Sequence, residues 1–205
     1  YQEVFTDPSY FGQILIMNSP HIGNYGVHAD ENESAGIKIS GLITKKFSEI
    51  FSRTSAEGAL EELMLRDSCV GITDLDTRAL VRHVRNKGAM NALISTDVEN
   101  LTELKEILAK VPSMDGQELS SKVATKVVYE EIPAEAKYKV ALLDFGVKKN
   151  IIRCLVERGC HVKVFPLDVT LDEVSSFNPD GFTLSNGPGD PSVMTNSISL
   201  VGQLV

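Results

Sequence analysis

Lys139-Val140-Ala141-Leu142-Leu143-Asp144 is a short apolar run closed by an acid, and the chain after it repeats one pattern as far as Ser185. A helix is predicted from about Lys149 to Arg158, with Gly159 placed where a C-terminal cap belongs. A strand follows over His161–Pro166. Thr170 and Glu173 then form the capping-box pattern that opens a helix over Leu171–Phe177, and a last strand covers Gly181–Ser185. Strands alternating with short helices imply a parallel sheet, whose ligand sites lie beyond the carboxyl ends of the strands. Two loops occupy those positions: Asp144-Phe145-Gly146 and Ser185-Asn186-Gly187-Pro188-Gly189-Asp190-Pro191.

Upstream the texture changes. Strand-like runs, Gln13–Met17 and Gly36–Ile43, are separated by Gly, Pro and Asn. Three helices are then expected: Ala56–Arg66 capped by Ser55, Thr77–Asn86 capped by Asp76, and Leu101–Ala109 ending before Pro112. Their apolar residues, such as Leu80, Val81 and Val84, recur at helical spacing. This half reads as α+β, the later half as α/β. The stretch Val123–Tyr138 reads as a strand-bearing linker, which gives two domains, 1–137 and 138–205.

At 205 residues the chain can bury two modest cores. A net charge of -8 argues against nucleic acid as a partner, because a polyanion is bound through clustered Lys and Arg. The apolar runs fall far short of the roughly 20 residues of a membrane span. Cys69, Cys154 and Cys160 make neither CxxC pairs nor an even disulfide set, which points to a reducing, cytoplasmic setting. The opening Tyr1-Gln2-Glu3 and the closing Gly202-Gln203-Leu204-Val205 read as cut ends of a longer chain.

The loop Asn186–Pro191 carries the chemistry. Its glycines let backbone N–H groups approach a ligand with no Cβ in the way, and its prolines fix the turn. Such a loop can present donors to a carboxylate or a developing oxyanion; the alternative is a tight turn without a ligand. Phosphate binding is disfavoured, since neither G-x-x-x-x-G-K-[ST] nor G-x-G-x-x-G occurs.

Ser185–Pro191 resembles the SNGPGDP loop of class I glutamine amidotransferases, in particular that of carbamoyl phosphate synthetase small subunits. Tyr1–Glu3, Thr6–Tyr10, Pro20–Asn24, Asp74–Arg78, Lys87–Ala89 and Asp144–Gly146 resemble the same family in order. The resemblance implies a swivelling β/β/α amino-terminal domain, here without its opening strands, followed by the first part of a flavodoxin-like amidotransferase domain. It implies hydrolysis of L-glutamine by a Cys-His-Glu triad, with ammonia passed to a large synthetase subunit. That subunit uses bicarbonate and ATP with magnesium to make carbamoyl phosphate for arginine and pyrimidine biosynthesis. Position by position, Gly187 and Gly189 correspond to glutamine-holding residues, the Gly187 N–H to an oxyanion-hole donor, and Ser9 to a residue reaching the substrate from the first domain. No cofactor is expected on this chain itself.

The family's nucleophile elbow, G-x-C-x-G, does not occur, so the triad is expected beyond Val205 and the chain alone is expected to be inactive. The alternative is a non-catalytic flavodoxin-like binding or interaction module. Cys160 and His161 are adjacent strand residues facing opposite ways and cannot form a nucleophile–base pair. Asp74-Leu75-Asp76 could on a strand aim two carboxylates at one face, as for a metal or an acid–base pair, but helix capping by Asp76 is the simpler reading. Asp144-Phe145-Gly146 copies a kinase tripeptide without the rest of a kinase, so Gly146 is assigned to the turn and Phe145 to packing on the following helix. His21 and His28 have no third partner at metal spacing, and no metal site is expected.

Overall fold

The computed structural model describes residues 1–96 and 100–204; Val205, the end of the second expected domain, lies outside them. The chain divides into two compact units, one of residues 1–6 and 12–113, the other of residues 7–11 and 114–204 among those described.

The first unit opens with helix α1 (Gln2–Thr6) and is built on strands β1 (Ile14–Ile16), β2 (Gly41–Ile43) and β3 (Val70–Ile72). They pair in parallel in that order, with Ile14 opposite Gly41 and Leu42 opposite Gly71. Parallel neighbours need crossovers, and helix α2 (Leu60–Arg66) lies in the one between β2 and β3. It packs over the sheet where Gly71 leaves room: a Cβ there would stand 3.0 Å from Met64 Cε. The expected helix start at Ala56 is corrected. Val27 and Gly58 form an antiparallel bridge that holds residues 57 and 58 extended, and the helix begins after Ala59, whose N–H donates to Glu62 (3.2 Å). Helix α3 (Thr77–Lys87) starts at Asp76, whose carboxylate accepts from the Ala79 N–H at 3.0 Å. Helix α4 covers Leu101–Ala109 as expected, with Leu104 and Leu108 half-buried and Leu101 and Ile107 exposed.

The second unit contains strands β4 (Tyr129–Glu131), β5 (Tyr138–Leu143), β6 (Cys160–Phe165) and β7 (Gly181–Leu184), in the order β4-β6-β5-β7. β6, β5 and β7 run parallel, while β4 pairs antiparallel on the outer edge of β6. Alternation along β5 assigns the two faces. Leu142 packs with Val162, Val164 and Val147 against Ile152 of helix α5 (Lys149–Glu157). Ala141 and Leu143 pack with Phe165 against Val174 of helix α6 (Leu171–Ser176) and Leu200 and Val201 of helix α7 (Thr195–Leu204). Helices on both faces with the middle strand first in sequence are the start of a doubly wound sheet. The cap of α6 is as expected, Thr170 and Glu173 satisfying each other's N–H groups.

Residues 114–137 are assigned from sequence to the first domain, with the stretch from Val123 read as linker, whereas they group with the second unit. The ladder of β4 on β6 accounts for part of this, and the segment 116–120, described below, for the rest. Phe145 also differs from expectation: it packs on the Phe165, Val174 and Phe177 side of the sheet, away from α5.

Candidate functional site: two loops at the carboxyl ends of β5 and β7

At the end of β5, Asp144 turns the chain. One carboxylate oxygen accepts from the N–H groups of Gly146 and Val147, both at 2.8 Å, and the other from Thr125 at 2.7 Å. This buried aspartate is committed to backbone donors. Gly146 has φ +121°, and a Cβ there would stand 2.8 Å from Val123 Cγ2 and 3.0 Å from Pro8 Cβ, so both conformation and space require glycine.

The loop after β7 is tied to this turn. Ser185 Oγ accepts from the Phe145 N–H (2.8 Å) and donates to the Asn186 carbonyl (2.7 Å). The Asn186 amide nitrogen donates to Gly146 O (2.9 Å) and Ser9 Oγ (2.8 Å), and its oxygen accepts from the Lys148 N–H (3.1 Å). Asn186 and Ser9 are 177 residues apart in sequence. Both belong to the second compact unit, since Asp7–Phe11 packs within it, whereas the sequence reading places Ser9 on the first domain. Asp7 joins the cluster, accepting from the Ser9 N–H (2.9 Å) and standing 3.5 Å from Lys148 Nζ.

Gly187 is exposed. Its φ lies outside the left-handed region, and the reason for glycine is contact: a Cβ would sit 2.2 Å from the Phe145 carbonyl oxygen. Gly189 needs glycine on both counts, with φ +87° and a Cβ position 2.5 Å from Gln117 O. It bridges Glu118 antiparallel, while the Asp190 N–H donates to Gln117 O (2.8 Å). Asp190 accepts from Ser192 (2.9 Å) and Gly116 (3.0 Å) N–H groups, and hydrogen bonds from Ser192 first and Gly116 next hold its carboxyl below the usual carboxylate range.

The other candidates lie elsewhere. Cys160 is buried in the α5-side core, and His161, beside it on β6, pairs with Glu130 at 2.7 Å. Cys154 sits within α5. Cys69 borders a cavity of about 450 Å³ in the first unit, and burial pushes its thiol pKa up, against thiolate formation. Lys46 pairs with Asp74, and His28 caps the short 3-10 turn Ala29–Glu31. Among the described residues no group of three or more His, Cys, Asp or Glu could hold a metal ion, and no helix is long and apolar enough to cross a membrane.

Residues 1–94 match the family model for the CPSase domain of the carbamoyl-phosphate synthase small chain, and residues 141–205 that for class-I glutamine amidotransferase. The carbamoyl phosphate synthase small chain of Chlorobaculum tepidum is 43% identical over 204 residues, and that of Clostridium perfringens 42% identical over 205. The chain is a homologue of carbamoyl phosphate synthase small chains. The alignments cover 100% of this chain but 56% and 57% of those two relatives, so it spans little more than half of their length. The small-chain CPSase match includes Ser9, and the amidotransferase match begins inside β5 and includes the loop 186–190. From sequence alone no role attaches to Asn186, Asp7, Lys148 or the segment 116–120. Only a polar amide set directly before Gly187 hinted at the first of these.

Proposed function

We infer that this chain carries the glutamine-holding loops of a small chain that hydrolyses L-glutamine to glutamate and ammonia. In this reading the ammonia passes to a large synthetase chain, which holds ATP and magnesium and condenses it with bicarbonate into carbamoyl phosphate. The product would serve arginine and pyrimidine biosynthesis in the cytoplasm.

The carrying observation is the exposed Gly187 at the mouth of the sheet, backed so closely by the Phe145 carbonyl that no side chain fits between them. When a nucleophile attacks the glutamine carboxamide, negative charge develops on the carboxamide oxygen. A backbone N–H that is already positioned stabilises that charge without reorganising. The ties from Ser185 and Asn186 to the β5 turn supply the positioning. Gly189 and Ser9 hold the rest of the substrate, with a seryl hydroxyl able to donate or accept. None of Cys69, Cys154 or Cys160 serves as nucleophile in this reading, and the triad comes from residues following this chain in the full-length gene product.

The test is glutamine hydrolysis by the full-length gene product. Release of ammonia and glutamate in equal amounts, and carbamoyl phosphate formation once a large chain and ATP are added, is the expected result. A well-folded product that binds no glutamine and supports synthesis only from added ammonia would overturn the assignment.

A further inference from the structure

Along residues 188–190 of this loop runs the segment Gly116–Ser120. Its contacts fall in a row: Gly116 on the Asp190 carboxylate, Gln117 O on the Asp190 N–H, Glu118 bridged to Gly189, and Ser120 Oγ donating to Pro188 O at 3.2 Å. The last is a buried hydrogen bond, and Ser120 itself is only 2% exposed.

A planar trans peptide holds its C=O and N–H on opposite sides, and the chain has no cis peptide among its described residues. With the Pro188 carbonyl held on Ser120, the N–H of the same peptide, that of Gly189, faces away from the segment. Rotation of this peptide would exchange the two groups and present a carbonyl where a donor is needed. Glycine at 189 lowers the steric barrier to that rotation, and beside the backbone bridge to Glu118 the hydrogen bond from Ser120 to the Pro188 carbonyl opposes it directly.

We propose that Ser120 is a positioning residue for glutamine binding: its hydroxyl fixes the Pro188–Gly189 peptide so that the Gly189 N–H is presented to the substrate. The proposal rests on the reading that Gly189 holds glutamine. It gives the segment 116–120 a role that its sequence does not disclose.

Ser120→Ala in the full-length gene product removes the donor and leaves the Pro188 carbonyl without it. Because the Gly189 N–H acts on bound substrate rather than on the developing oxyanion, KM for glutamine should rise roughly three- to tenfold with kcat nearly unchanged. Synthesis from added ammonia should keep its rate. General loosening of the fold would instead lower kcat through loss of active protein. Ser120→Cys, nearly isosteric with a weak S–H donor, should fall between the two, and serves as the test if the alanine variant does not fold. Selective ¹⁵N labelling of glycine gives a readout apart from turnover, since glutamine should shift the Gly189 amide resonance in the wild type and less in the variants. Wild-type KM in both Ser120 variants, with Gly189→Ala impaired, would overturn the role of Ser120 and leave the site standing. Wild-type kinetics in Gly189→Ala as well would overturn the glutamine site itself.

Discussion

Gly187→Ala puts one methyl group where the structure leaves no room. Its Cβ would lie 2.2 Å from Phe145 O and 2.9 Å from both the carbonyl carbon and Cβ of Phe145. Ordinary contacts begin near 3.5 Å, so the two backbones must part by roughly an ångström. Phe145 cannot readily retreat, since its N–H is held by Ser185 Oγ and the next residue's carbonyl is held by Asn186. The displacement therefore falls on the loop, at about 1–3 kcal/mol in stability, as for other overpacked sites. A donor moved by about an ångström should cost on the order of 100-fold in kcat for glutamine, at the low end of what deleting an oxyanion donor costs. Steady-state glutamine hydrolysis by the full-length gene product measures this, with a thermal melt to report the strain and added ammonia as the bypass control. A kcat within twofold of wild type in a variant whose melt shows the expected strain would refute the assignment of this N–H to the oxyanion.

Three further outcomes follow from other parts of the structure. Asn186→Ala strips the donor from Gly146 O and Ser9 Oγ and the acceptor from the Lys148 N–H, so denaturant unfolding should show a loss of about 1–3 kcal/mol, accompanied by weaker glutamine binding. Gly202→Ala, in α7 with no atom within 4 Å of the new Cβ, should leave glutamine kinetics unchanged and raise stability by about 0.5–1 kcal/mol in the same assay. Glu130 is bonded first by Lys163 and then by His161, and both hold its pKa below the ordinary 4.5. A depressed carboxylate pKa stabilises the fold above the unfolded value and ceases to do so as pH falls through the folded one. Glu130→Gln should therefore lower the melting temperature near neutral pH, and the gap should close in acid; a gap independent of pH would contradict the pairing.

The second unit was legible because its signals are local. The apolar run Val140–Leu143, the Thr170–Glu173 box and the Gly159 cap each act within a few residues, and β5, α6 and β6 form within a residue or so of where they are read. What the sequence could not disclose depends on distant partners. Ala56–Ala59 has helical composition, but Val27 takes two of its residues into a bridge. The stretch Val123–Tyr138 has no period of its own, and its strand Tyr129–Glu131 takes its order from pairing with β6, as Ser120 just before it does from the loop 186–190. At the site, both loops could be found as glycine-rich turns after strands, whereas the grip of Asn186 on Ser9 and of Ser120 on Pro188 spans 177 and 68 residues. Even the reason for glycine at 187 differs between sequence and structure: it is the nearness of Phe145, where the sequence reads the missing Cβ as room for a ligand.

The most direct test of the central claim is a crystal structure of the full-length gene product with L-glutamine, its nucleophile replaced to prevent turnover. The account predicts the glutamine carboxamide oxygen about 3 Å from the Gly187 nitrogen, with Gly189 and Ser9 in contact with the same molecule. Glutamine bound elsewhere, with the loop 186–190 free of it, would contradict the account.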